Sequence, residues 1–304
     1  MKMRAVFLGA CAVVLVLGCS RHKQEAAKRF EEGQQTVKLD PGAAIKKYQE
    51  AAELDPTQHK YLKGLAEAYK KKEEWDKVVA TMGKAVELAP TYANYWFLRG
   101  YAFEQLAKKA KGGQAYKDAD EAYKKCIDAD PNYDECRWRR GMVSLWLDQA
   151  DSEQKALQYF TEAVDVRPDR IDYYQWPASL YLQLKYYKEA AQVLDAAKSV
   201  AKPNDPELFN VHQLLARVYQ QDGKLDKAVE ELRAAKALGA EDHPEILFNL
   251  GGALAKQGES HKTEAVQMLK DFCRRACKAK GAEKYKSECE QATDLAQQFG
   301  ESCG

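Results

Sequence analysis

The chain has 304 residues, 45% of them hydrophobic and 31% charged, with 47 Lys+Arg against 46 Asp+Glu. This composition supports a packed core and excludes a disordered chain, while a net charge of +1 removes the electrostatic basis for binding nucleic acid. Only nine prolines and 18 glycines, with abundant Ala, Glu, Lys and Leu, favour helix.

At the start, Lys2 and Arg4 precede an apolar run from Ala5 to Gly18 that ends at Cys19. The run is shorter than the roughly 20 helical residues a membrane span needs, and it has the charge and length of a secretory signal. The sequence Leu15-Val16-Leu17-Gly18-Cys19 resembles the lipobox of bacterial lipoproteins, departing at Leu17, where that family more often has a smaller residue. The rival Leu8-Gly9-Ala10-Cys11 leaves only about six apolar residues before the cut, short of a signal's usual core. The resemblance implies a signal peptide over 1–18, a diacylglyceryl group on the Cys19 thiol, acylation of the new amine, and a short tether over 19–24. Several acyl chains at about 0.8 kcal/mol per methylene anchor stably. Ser20 after the lipid site implies the outer membrane, at its periplasmic face, rather than the inner one.

Beyond the tether, Pro56, Pro90, Pro131 and Pro168 close the similar runs AAELDP, AVELAP, CIDADP and AVDVRP, at spacings of 34, 41 and 37 residues. Proline cannot continue a helix, so each marks a helix end. Twelve residues before each proline stands Ala44, Val78, Ala119 or Ala156; eight before, Tyr48, Met82, Tyr123 or Phe160; five before, Ala51, Ala85, Cys126 or Ala163. Small, large, small at i, i+4 and i+7 forms one helical stripe that a neighbouring helix can approach closely. The preceding helix of each unit carries its own set: Leu65-Ala66 with Tyr69, Trp96 with Gly100 and Phe103, and Gly141. Later units lack the proline but keep Ala178, Tyr181, Ala190, Leu194 and Ala197, then Leu215, Ala216, Tyr219, Ala228, Leu232 and Ala235, then Leu250-Gly251, Leu254, Ala265 and Leu269.

This pattern resembles the tetratricopeptide repeat, a 34-residue helix–turn–helix unit. The resemblance covers 25–275. It implies an all-α solenoid of six or seven helical hairpins wound as a right-handed superhelix, capped by an amphipathic helix within a cysteine-rich segment, 276–304. The extra residues at 107–117 and 148–153 are expected in turns inside their units. Pro177 predicts a kink or a late helix start.

Phosphate-binding, dinucleotide-binding, zinc-protease, C-x-x-C and nucleophile-elbow motifs are absent, and the five histidines form no recognisable pair. Neither catalysis nor a cofactor beyond the covalent lipid is expected. Six cysteines remain after the signal and the anchor: Cys126, Cys136, Cys273, Cys277, Cys289 and Cys303. Export permits disulfides. Cys126 either bridges to Cys136 across the turn at Pro131 or replaces a small packing alanine. The last four suit a stapled hairpin, with Cys277–Cys289 and Cys273–Cys303 preferred among the possible pairings; as a zinc site their spacing matches no common motif.

In the family resembled here, the first helix of each unit lines the concave groove. Carried onto this sequence, those positions are Asn94, Phe97, Tyr101, Glu104 and Gln105 in the third unit, and Glu135, Trp138, Met142, Leu145 and Trp146 in the fourth. Polar flanks follow at Lys60, Lys63, Glu67 and Lys70 before, and at Asp172, Gln175, Ser179 and Gln183 after. The aromatic and apolar stripe reads either as an interaction surface rimmed by polar groups or as core. Chaperone-type repeats clamp a carboxylate with Lys and Asn at positions that here hold Lys63, Glu67, Leu98, Glu135 and Arg139, and the two glutamates argue against such a clamp. The expected role is a non-enzymatic adaptor that binds a protein or an extended peptide in an envelope complex: pilus secretin, motility, outer-membrane assembly or cell-wall enzyme. Alternatives are a structural lipoprotein that self-associates as a homodimer through the stripe, and a metal carrier or enzyme built on the C-terminal cysteines.

Overall fold

The structure is a computed structural model that describes residues 21–110, 112–147, 149–278 and 282–303; the signal 1–18 and Cys19 lie outside them. Among the described residues there are helices and no strands, and no helix is long and apolar enough to cross a membrane. The helices are α1 (21–36), α2 (Pro41–Leu54), α3 (His59–Lys71), α4 (Trp75–Leu88), α5 (Ala93–Ala110), α6 (Gly113–Ala129), α7 (Asp134–Leu147) and α8 (Ser152–Val166). They continue as α9 (Gln175–Gln183), α10 (Tyr187–Val200), α11 (Glu207–Gln221), α12 (Leu225–Gly239), α13 (Glu245–Gln257), α14 (Lys262–Phe272) and α15 (Lys286–Gln298). Two compact units divide inside α8, between Tyr159 and Phe160.

In the first unit, successive helices pack as hairpins, and the stripe read from the sequence is the packed one. Ala44, Tyr48 and Ala51 on α2, Val78, Met82 and Ala85 on α4, and Ala119, Tyr123 and Cys126 on α6 are all buried to within 3%. A large side chain buried this way stabilises by about 1.5–3 kcal/mol. One close approach needs Gly100 on α5: a Cβ there would lie 2.8 Å from the ring of Tyr123, so only glycine lets that ring rest on the helix backbone. Each unit closes alike. The N–H of Asp55, Ala89, Asp130 and Arg167 bonds the carbonyl of the last small stripe residue, Ala51, Ala85, Cys126 and Ala163, at 2.9–3.1 Å. Six residues beyond the closing proline a side chain turns back to its carbonyl: Trp96 to Pro90 at 2.8 Å, Arg137 to Pro131, and, in the second unit, Tyr174 to Pro168 at 3.0 Å.

One expectation is corrected. Residues 107–117 do not form a long turn: α5 runs on to Ala110 and α6 starts at Gly113. Ala107 is fully buried and the lysines beside it lie on exposed faces, so the extra residues extend the two helices on either side of Gly112.

In the second unit, Ile171–Tyr174 forms a 3₁₀ turn and α9 starts only at Gln175. Pro177 thus falls in the first turn, where its missing N–H costs nothing: the late helix start. Ala190, Leu194 and Ala197 on α10, Ala228, Leu232 and Ala235 on α12, and Ala265 and Leu269 on α14 repeat the buried stripe. The cap is present as α15, whose fully buried Ala292 and Ala296 join the core of α13 and α14. The structure pairs Cys273 with Cys303 and Cys277 with Cys289, at Cα separations of 5.9 and 5.8 Å, and in the first unit Cys126 with Cys136 at 6.4 Å. Cys126 both fills the small stripe position and forms the bridge. Helix α1 already includes residues 21–24, which the sequence reading places in the tether.

Candidate partner-binding site

In the first unit, α5 and α7 carry the aromatic stripe, and the structure makes it half core. Asn94, Phe97, Tyr101, Trp138, Leu145 and Trp146 are half-buried. Met142 is corrected: at 7% exposure it is packed within the first unit and offers no groove surface, because position 142 turns inward beside the fully buried Val143. Phe97 stacks on Tyr133 at 5.4 Å, Asn94 donates to the Tyr133 hydroxyl at 3.1 Å, and Trp75 meets Tyr101 edge-on at 5.6 Å. Trp146 packs on Tyr116 at 5.4 Å, with the Lys108 ammonium 4.5 Å above its ring.

Beneath these rings lies an ionic cluster. Glu104, 1% exposed, accepts from Tyr123 at 2.9 Å, from Lys108 at 2.7 Å and from Arg139 at 3.1 and 3.2 Å. Arg139 also donates to Glu135 at 3.1 Å and lies 4.7 Å from the Tyr101 ring centre. Burial raises the Tyr123 phenol well above its ordinary value, and the neighbouring Glu104 raises it further. Burial works against the Arg139 cation, yet Tyr123, Glu104 and Glu135 more than offset it, so the guanidinium stays charged. Arg139 is therefore committed to two carboxylates and does not serve as a free clamp residue.

In the second unit the corresponding face is open. A groove of about 510 Å³ is lined by Gln175 and Ser179 of α9, Asn210, Gln213, Arg217 and Gln220 of α11, and Asn249 of α13, over a floor that includes Leu214, Ala216 and Leu232. Glu207 accepts from Gln175 at 2.7 Å and from Asn210 at 3.1 Å, fixing two of the carboxamides. On its other flank α11 is tied down by His212, 2.5 Å from Glu231, which also accepts from Lys198 at 2.7 Å. Burial would raise the Glu231 carboxyl, but the hydrogen bonds and charges of His212 and Lys198 hold it below its ordinary value.

The sequence reading singled out Gln175 and Ser179 but not Asn210, Gln213, Arg217 or Asn249. The signal was present, since 210, 213 and 217 repeat the i, i+3, i+7 spacing of one helix face; polar residues there resemble any solvated face, so their convergence had no sequence signature.

Residues 214–262 match the tetratricopeptide-repeat family profile. A solved tetratricopeptide-repeat protein from Parabacteroides merdae is 16% identical with a TM-score of 0.54, covering 88% of this chain and 99% of its own. PilF from Pseudomonas aeruginosa is 18% identical with a TM-score of 0.52, covering 71% of this chain and 93% of its own. YrrB, described as having an unusual peptide-binding site, is 20% identical with a TM-score of 0.50, covering 66% and 95%. No curated protein sequence matches the chain. Sequence period, hairpin packing, family match and structural likeness converge: residues 214–262 carry a tetratricopeptide-repeat match, and the described residues have the fold of tetratricopeptide-repeat proteins.

Proposed function

We propose that this protein is a lipoprotein of the bacterial outer membrane, held at the periplasmic face by acyl chains on Cys19, and that it serves as a non-enzymatic adaptor in an envelope complex. It captures a segment of a partner protein on the face formed by the first helices of its repeats. The observation that carries this reading is the second-unit groove, lined by half-buried converging carboxamides and the exposed Arg217. The peptide-binding site ascribed to YrrB supports the same use of such a scaffold. Three disulfides suit an oxidising compartment, as export through the leader requires.

Two measurements test this. Mass spectrometry of the processed N-terminus should find an acylated Cys19, and Cys19→Ala should release the protein from the membrane fraction; an unmodified Cys19 overturns the anchor. Photocrosslinkers placed at Gln213 and at Trp138 in intact envelopes should report where the partner lies. Trp138→Ala with Trp146→Ala should weaken capture without loss of helicity if the exposed ring faces of the stripe take part. If the double variant instead loses its thermal transition, the stripe is core alone and the second-unit groove is the binding face.

A further inference from the structure

We infer that the second-unit groove binds an extended, internal polypeptide segment of about six residues, read through its main chain and selected for one Asp or Glu side chain opposite Arg217. This rests on the reading that the chain captures a partner segment, and it names the class of segment and the side chain that selects it.

The chemistry of the lining carries the inference. Gln213, Gln220 and Asn249 have no hydrogen-bond partner among the described residues, and each carboxamide offers one acceptor and two donors. A peptide unit offers one donor and one acceptor, so a row of carboxamides matches an extended main chain whatever its side chains. The groove has no aromatic face on which a sugar ring or a base could stack and no deep apolar pocket for a hydrophobic anchor; its apolar residues form the floor. Contributions from α9, α11 and α13 span two helix-to-helix steps of about 9 Å, which at about 3.3 Å per extended residue is about six residues.

Charge supplies the selectivity. Arg217 is the one ionised side chain in the lining; it is exposed, and no carboxylate among the described residues pairs with it. Glu207 is already bonded to Gln175 and Asn210, and it lies ten residues earlier on α11, about 15 Å along the axis, so it does not neutralise Arg217. A single guanidinium matches one carboxylate through two parallel hydrogen bonds. A dianionic phosphate group or a chain terminus held by several cations would need further positive charge that this groove lacks.

The test uses the full-length protein purified from membranes in detergent and an array of end-blocked random hexapeptides. Bound peptides should share Asp or Glu at one position. For the best of them, Arg217→Gln should lower affinity about ten-fold, the worth of one charge-assisted contact, and N-methylation of central amides should do the same. Arg217→Glu should shift selection to Lys or Arg. Because Arg217 is exposed, unchanged circular dichroism is expected for both variants. Peptide binding that is indifferent to both Arg217 variants, or lost only in Trp138→Ala, overturns the inference and leaves the adaptor reading standing. If no peptide binds, both fall.

Discussion

The Nη1 of Arg139 on α7 donates to both oxygens of Glu104 on α5, at 3.1 and 3.2 Å, across 35 residues of sequence. This contact joins the first helices of neighbouring repeats beneath the aromatic stripe, where its charges are shielded from solvent by the rings above.

Removing Arg139 leaves the buried Glu104 with only the Lys108 ammonium to balance it. Arg139→Met should cost about 1.5–3 kcal/mol in chemical denaturation, whereas Arg139→Met combined with Glu104→Leu should recover most of the loss. Equal losses for the single and double variants would show that the guanidinium stabilises through ring packing and not by neutralising Glu104.

Turns inside three hairpins place one residue in the left-handed region: Glu73 (φ 56), Lys185 (φ 63) and Gly223 (φ 76). Gly223 adopts it freely; the other two do not. Glu73→Gly and Lys185→Gly should each stabilise by about 0.5–1 kcal/mol, the relief of the left-handed strain outweighing the unfolded-chain entropy of glycine. Gly223→Ala should destabilise by a similar amount, and thermal unfolding of the three variants checks the series.

Glu231 holds its proton less tightly in the folded protein than in the unfolded chain. Its contribution to stability is therefore fully present above the unfolded value of about 4.3 and is lost as pH falls through the lower folded value. Glu231→Gln should cost about 1–3 kcal/mol at pH 7, with the gap to the parent closing below about pH 4. Denaturation of parent and variant at matched pH checks this.

Three bridges predict that alkylation before reduction labels none of Cys126, Cys136, Cys273, Cys277, Cys289 and Cys303, and that reduction exposes all six. Replacing Cys273 and Cys303 by serine should destabilise the cap by about 2–4 kcal/mol, the bridge closing a longer loop than the other two. Intact-mass analysis and unfolding of the C-terminal helices supply the readouts.

Most of the hairpin architecture was legible because it is local. A small residue at Ala44, a ring at Tyr48 and a small residue at Ala51 lie on one face by helical geometry alone, and Pro56 ends that helix wherever it packs. The length of α5 is not legible for the complementary reason: no proline or glycine in residues 107–110 marks where the helix ends, and the burial of Ala107 shows that it continues. Met142 was placed on the groove by its position in the repeat, a rule that assigns a face and not a depth.

Sequence alone determined the repeat, its buried stripe and the closing turns, because these follow from spacings within one or two helical turns. Nearby cysteines also narrowed the bridge pairs, since a short connection limits what each sulfur can reach. Only the tertiary structure decided which first-helix faces stay available. That depends on contacts between side chains about 35 residues apart, such as Arg139 with Glu104 and the convergence of Asn210, Arg217 and Asn249 on one groove. A periodic pattern says which way a side chain points; whether it meets a partner or solvent there is settled by the charge and size of what the next repeat brings beside it.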